Sequence, residues 1–179
     1  VTPNITLQSD FVDSRTRYVK NPLNYFEHVS VGNNNKTVIT ARGRVAIANT
    51  DESRIVNIES DASARARYAI LSKDQKHVYA VSDISGDYEV WQFDASGKSS
   101  AKQLTKGGSG LKMGLWLSPN GKKLAYSELA GKLWLLDLDS LETTLVIDNM
   151  SWGVSGLVFS SDSRYLSFNY SEVNVDRPQ

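Results

Sequence analysis

Trp116-Leu117-Ser118-Pro119-Asn120-Gly121-Lys122-Lys123-Leu124-Ala125-Tyr126 decides how this chain is read: an apolar strand ending in serine, a polar turn, then a second apolar strand. The pattern recurs. It reads Ile70-Leu71-Ser72-Lys73-Asp74-Gln75-Lys76 before Val78-Tyr79-Ala80-Val81, and Val158-Phe159-Ser160-Ser161-Asp162-Ser163-Arg164 before Leu166-Ser167-Phe168. A further copy runs from His28-Val29-Ser30 to Lys36-Thr37-Val38-Ile39. The anchoring serines 30, 72, 118 and 160 stand 42, 46 and 42 residues apart. A period of about 40–45 residues built from short strands is the mark of β-propeller blades.

Each copy extends into two more strands. Val81-Ser82-Asp83-Ile84-Ser85-Gly86-Asp87 turns into Tyr88-Glu89-Val90-Trp91-Gln92-Phe93, and Ser127-Glu128-Leu129-Ala130-Gly131 turns into Lys132-Leu133-Trp134-Leu135-Leu136-Asp137-Leu138. Asp, Ser and Gly form turns because they bond locally or accept positive φ at low cost. Alternation along Tyr88–Phe93 has a period of two, which argues strand. Fourth strands are expected at Ala101–Thr105 and Thr143–Ile147, after turns at Asp94–Gly97 and Asp137–Ser140. The chain is therefore all-β: three complete four-stranded meanders at residues 25–61, 66–105 and 112–148, and a partial blade at 154–179. Residues 1–24 match no blade and read as a connecting segment. Propellers close with about four to eight blades, so the chain is expected to be part of a longer ring.

Composition narrows the partners. Lys and Arg total 20 and Asp and Glu total 20, so no net charge draws the chain to nucleic acid or to an anionic membrane. Apolar runs are strand-sized, too short to span a bilayer. With no cysteine, disulfides and thiol chemistry are excluded while the compartment stays open. The two histidines, His28 and His77, fall in different blades, and a metal centre needs three or four convergent ligands. The repeated serines read as side-chain caps of their hairpins and not as nucleophiles. Gly107-Gly108 and Gly110 lack the strand-to-helix setting of a phosphate loop and read as a link between blades. Asp83, Asp87 and Glu89, like Asp137, Asp139 and Glu142, are read as turn caps or water-facing groups, since a calcium site needs about six oxygens. No catalytic, cofactor or metal site is expected in this stretch.

The order of elements resembles tricorn-type serine proteases. The resemblance rests on Thr40-Ala41-Arg42-Gly43-Arg44-Val45-Ala46, Ser63-Ala64-Arg65-Ala66-Arg67, Ser82-Asp83-Ile84-Ser85-Gly86-Asp87-Tyr88-Glu89-Val90-Trp91, Gln103-Leu104-Thr105, Leu117–Lys122 and Gly131–Asp137, and covers about residues 18–170. It implies a large peptidase with two propellers, a PDZ-like domain and a catalytic core. This chain is similar to the first half of the second, seven-bladed propeller, through which oligopeptides are thought to reach catalytic residues in later domains. The partners implied are oligopeptides, the remaining blades and the protease domains. The compartment implied is the cytoplasm, with the periplasm left open. The turn Val31-Gly32-Asn33-Asn34-Asn35 departs from the family's Pro-Asp-Gly and is read as one residue longer.

Two further expectations concern particular side chains. Arg42 and Arg44, at a hairpin, and Arg65 and Arg67, on the link to the next blade, are the candidate peptide-binding residues, because guanidinium forks bind carboxylates bidentately. The simpler reading is that they bridge blades through Asp51, Glu52, Asp61 or backbone carbonyls. Phe26 and Val29, Ala69 and Leu71, Leu115 and Leu117, and Leu157 and Phe159 are expected to pack between blades with Trp91 and Trp134. Open sheet edges and a bare apolar blade face predict self-association of this piece. A TolB-like or WD-like interaction module and a propeller capping a prolyl-oligopeptidase-like hydrolase are the competing readings of function.

Overall fold

The computed structural model describes residues 15, 17–32, 34–49, 51, 54–58, 63–98, 100–107, 110–148 and 154–169. A 3-10 turn at Pro22–Tyr25 leads into fourteen strands, and the described residues contain no α-helix. Blade 1 holds β1 (Phe26–Val31), β2 (Lys36–Ala41), β3 (Arg44–Asn49) and β4 (Arg54–Ile58). Blade 2 holds β5 (Ala66–Leu71), β6 (His77–Ser82), β7 (Glu89–Asp94) and β8 (Lys102–Gln103). Blade 3 holds β9 (Lys112–Leu117), β10 (Lys123–Glu128), β11 (Lys132–Asp137) and β12 (Thr143–Asp148). A two-stranded sheet, β13 (Ser155–Phe159) and β14 (Leu166–Asn169), follows as blade 4. All pairings are antiparallel between consecutive strands. The expected all-β meanders are present, and β8 is the shortest strand because Leu104 N donates a last bond to Val90 O at 2.8 Å and the backbone then leaves the ladder.

The serine turns form in three blades. Ser72 Oγ donates to Asp74 Oδ1 at 2.6 Å and accepts from His77 N at 3.0 Å, while Asp74 Oδ1 accepts from Lys76 N at 3.1 Å. Ser118 and Asn120 repeat the arrangement at 2.7, 2.9 and 3.0 Å, and Ser160 and Asp162 at 2.6, 2.9 and 3.0 Å. Each serine thus ties the two strands of its hairpin, and its hydroxyl is committed to that turn. Blade 1 differs. Ser30 pairs with Val38 inside the ladder, and Gly32 occupies the serine's place, donating its N–H to Lys36 O at 2.8 Å. Three residues separate that bonded pair against four in the other blades, so this turn is shorter, not longer. Counted from Gly32, the first spacing is 40 residues.

Packing between blades supplies the core. Val38, Val45, Ile47, Ile58, Ala69, Leu71, Val78, Trp91 and Phe93 join blades 1 and 2. Ile70, Tyr79, Val81, Val90, Leu115, Leu124, Tyr126 and Leu136 join blades 2 and 3, with Leu117 and Trp134 packed against them. Leu157, Phe159 and Val154 pack on Ala125 and Leu133. Burying one such side chain contributes about 1.5–3 kcal/mol. Phe26 and Val29 do not share this role: they are 41% and 48% exposed, because β1 is covered by β5 on one side only among the described elements. The alternation expected along β7 is also overridden, with Glu89, Val90, Trp91 and Phe93 all buried. A sheet covered on both faces has no solvent side to alternate with.

Candidate functional site

The 2–3 turns lie at the same end of the strands as the links into blades 2 and 3, where three backbone bonds tie described link residues to turns. Ala66 N donates to Gly43 O at 2.9 Å, Asp83 N to Arg65 O at 3.3 Å, and Leu129 N to Leu111 O at 2.8 Å. The Arg42–Gly43 turn joins the paired residues Ala41 and Arg44 with φ of 52° and 74°, the two positive values of a type I′ hairpin. A Cβ on Gly43 would lie 2.9 Å from Arg65 Cγ, so the arginine stem of the link packs directly on the hairpin of the neighbouring blade.

The four arginines therefore meet at one end of the blade 1–blade 2 junction, in different ways. Arg42 lies over the Tyr25 ring at 5.2 Å and Arg67 over the Tyr88 ring at 5.9 Å, each within its own blade. Arg65 crosses to the other blade through its stem, and Arg44 is exposed. The carboxylate of Asp51 accepts both of its side-chain bonds from Asn35 Nδ2, each at 3.0 Å. Glu52 and Asp61 lie outside the described residues.

Each inner strand carries one extra residue near its start, which the sequence did not announce. The register slips between Phe26 and His28, between Arg67 and Ile70, between Lys112 and Gly114, and between Ser155 and Val158. Bulges re-aim side chains and sharpen local twist. The first two place Glu27, His28, Arg67 and Tyr68 around a shared recess of 330 Å³. Tyr68 holds φ at 52° there, and its ring meets His28 edge-on at 5.9 Å. Burial lowers the His28 pKa, opposed by a hydrogen bond with the Ala69 backbone, and its Nδ1 is buried without a partner. The recess offers a guanidinium, a carboxylate, an imidazole and a phenol, a set that hydrogen-bonds polar chain and has no activated nucleophile.

The junction of blades 2 and 3 holds a buried ion pair between the first residues of β9 and β7. Lys112 Nζ stands 3.2 Å from Glu89 Oε2, with the two side chains 1% and 2% exposed. Lys112 Nζ also donates to Tyr88 O at 2.9 Å and lies 5.5 Å from the centre of the Tyr126 ring. Thr105 donates its hydroxyl to Glu89 and accepts from Val90 N at 2.9 Å. Burial, then Glu128 and Glu89, pushes the Tyr126 phenol above the usual tyrosine range. These groups satisfy one another, which is what a buried charge requires. Glu89 is thus neither a turn cap nor water-facing, contrary to the sequence expectation. Asp137 does cap its turn, Oδ1 accepting from Asp139 N and Ser140 N, both at 3.0 Å, whereas Asp83 Oδ1 accepts from Arg65 N at 2.6 Å and so ties its turn to the link between blades. No group of three or more histidines and carboxylates able to hold a metal occurs among the described residues.

No helix of the described residues is long and apolar enough to cross a membrane. No family model and no curated protein matches the sequence. Solved structures do match the fold. A tricorn protease superposes over 86% of this chain with a TM-score of 0.68 at 14% identity, the match spanning 15% of that protease. A TolB of Acinetobacter baumannii matches over 83% of this chain and 38% of its own, with a TM-score of 0.68 at 14% identity. A putative TolB from Agrobacterium tumefaciens matches over 80% of this chain and 53% of its own, with a TM-score of 0.67 at 16% identity. A chain of a mitotic checkpoint complex matches over 80% and 45%, with a TM-score of 0.61 at 19% identity. This chain thus covers about half or less of each of these structures. Likeness at such identities fixes the architecture: the fold is an open segment of a β-propeller.

Proposed function

We propose that the chain is a non-catalytic propeller segment of a tricorn-like serine protease, which guides oligopeptides toward a catalytic core carried elsewhere. The observation that supports this reading is the junction of blades 1 and 2, where Arg42, Arg44, Arg65 and Arg67 share one end and Arg67 lines a recess with Glu27, His28 and Tyr68. Guanidinium groups over tyrosine faces suit carboxylates and the C-terminus of a peptide. Strand bulges beside them supply a polar floor. The blade boundaries 25–61, 66–105, 112–148 and 154–179 belong to this reading, with 1–24 as a connecting segment. The partners it entails are oligopeptides, the closing blades and the protease domains.

A TolB-like interaction module is the second reading, supported by the two TolB matches at TM-scores equal or close to that of the protease. The experiment is fluorescence anisotropy of a labelled acidic hexapeptide with the chain and with Arg65→Ala/Arg67→Ala. The protease reading expects saturable binding that the double variant weakens by roughly tenfold. Peptide binding that ignores both arginines, in a variant whose unfolding midpoint has fallen, assigns them to holding blades together and removes the peptide role.

A further inference from the structure

The opposite end of the same blade junction carries a second recess, built from residues with no part in the peptide reading. It is an open recess of 640 Å³ lined by β2, β3 and β4 of blade 1 and by β6, β7, the turn after β7 and β8 of blade 2. Its floor is Ile47, Val56 and Phe93, all packed in the cluster that joins the two blades. Among the described residues its rim holds Lys36, Arg54, Lys76 and Lys102, with Asp94 as the one carboxylate of the lining. Asp94 is engaged in its own turn, accepting from Ser96 N at 2.9 Å and from Ser96 Oγ at 2.8 Å. Four cations to one carboxylate is a local excess in a chain whose formal net charge is zero.

The walls are set by contacts between and within blades. Ala95 N donates to Lys76 O at 2.9 Å, joining the two turns on the blade 2 side. Gly97 has φ of 73°, and a Cβ there would lie 2.6 Å from Asn57 O, so the turn after β7 seats against β4 in a way only glycine permits. The recess is therefore preformed. Its volume falls within the range of about 300–1,000 Å³ typical of small-ligand sites, which combine apolar lining with a few placed polar groups.

An apolar floor under a cationic rim fits one chemistry: a hydrocarbon body with an anionic head. We propose that this recess binds a medium-chain amphipathic carboxylate, its chain over Ile47, Val56 and Phe93 and its head held by Arg54 and the lysines. Guanidinium takes a carboxylate bidentately, and the ammonium groups add field from the rim. The site stands whether or not the arginine end binds peptides.

The test is a titration of the ¹⁵N-labelled 179-residue chain with decanoate below its micelle concentration, followed by amide shifts. Saturable shifts at Ile47, Val56 and Phe93, with Val29 and Val31 unmoved, are expected. Decanol should bind at least roughly tenfold more weakly, and Arg54→Glu/Lys102→Glu should cost a similar factor. Both substituted side chains are exposed, and an unchanged amide spectrum verifies that the variant is folded. Shifts confined to the bare face of β1, equal binding of decanol, or no saturable shift up to millimolar decanoate would each overturn the proposal. So would an acidic peptide that moves the same amides at lower concentration than decanoate.

Discussion

Blades 1 and 2 are the same meander with different exposures, although β2, β3 and β4 of blade 1 also bury Val38, Val45, Ile47 and Ile58. In β6 and β7 all but His77, Gln92 and Asp94 are buried, whereas in β1 not one residue is. Local sequence does not account for this, since Phe26, Val29 and Val31 are as apolar as Val78, Val81 and Val90. The neighbours account for it. Blade 2 lies between two sheets and blade 1 has a sheet on one side only among the described elements. Burial in a stacked-blade fold is a property of the stack, as nearest-neighbour coupling in repeat proteins requires.

The sharpest contrast to break is electrostatic. Lys112→Met removes the cation that faces the buried Glu89 carboxylate, and should cost about 3–5 kcal/mol in urea unfolding. Lys112→Met/Glu89→Leu should recover most of that loss. The half-exposed pair Lys132–Asp148, at 3.7 Å, should be worth less than about 1 kcal/mol in the same assay. Equal effects at the two pairs would mean that blade 3 does not cover Glu89.

Packing comes next. Leu71→Ala, at the blade 1–blade 2 seam, should cost about 2–5 kcal/mol. Val29→Ala on the bare face should change stability by less than about 0.5 kcal/mol. That face also carries Phe26 and Val31, so sedimentation equilibrium should show self-association that Val29→Lys reduces. A strictly monomeric parent chain at high concentration contradicts that expectation. Gly32→Ala sharpens the seam further. Its Cβ would fall 2.8 Å from Leu71 Cδ2 and 3.3 Å from Lys36 O, so a loss of about 1–3 kcal/mol is expected.

How much of this was legible before the structure divides along physical lines. Turns that satisfy themselves with their own side chains leave a mark, and Ser72-x-Asp74, Ser118-x-Asn120 and Ser160-x-Asp162 gave three of the four hairpins their register. Blade 1 misled because glycine carries no hydroxyl and Ser30, two residues earlier, has one. Two of the bulges left no trace either: those of β1 and β5 have no glycine at the slip, and Tyr68 adopts positive φ unaided. Glu89 read as a turn cap or water-facing group, since nothing local reveals that its sheet will face the one that carries Lys112. The four arginines were singled out by their places at a hairpin and a link, but the aromatic seats of Arg42 on Tyr25 and of Arg67 on Tyr88 depend on how strands curl back.

The same turns predict the smallest effect, in acid. The Ser72 hydroxyl, then the Lys76 amide, lowers the Asp74 pKa, and the Ser160 hydroxyl, then the Arg164 amide, lowers that of Asp162. A carboxyl depressed in the folded state stabilises above its unfolded pKa, near 4, and loses that contribution as pH falls through the folded value. Blade 3 has Asn120 in that place and no such dependence. Asp74→Asn should flatten the loss of urea stability as pH falls below about 4. An acid limb unchanged by the substitution would show that the turn does not hold its carboxylate.

Native-state hydrogen exchange tests the central claim most directly, by comparing amides bonded across β1–β2 with those bonded across β6–β7. If neighbouring blades decide burial, β6–β7 amides exchange only through global unfolding and β1–β2 amides exchange faster through local opening. Equal protection in the two blades would contradict the account, because it would mean that each meander is stable by itself and owes nothing to the stack.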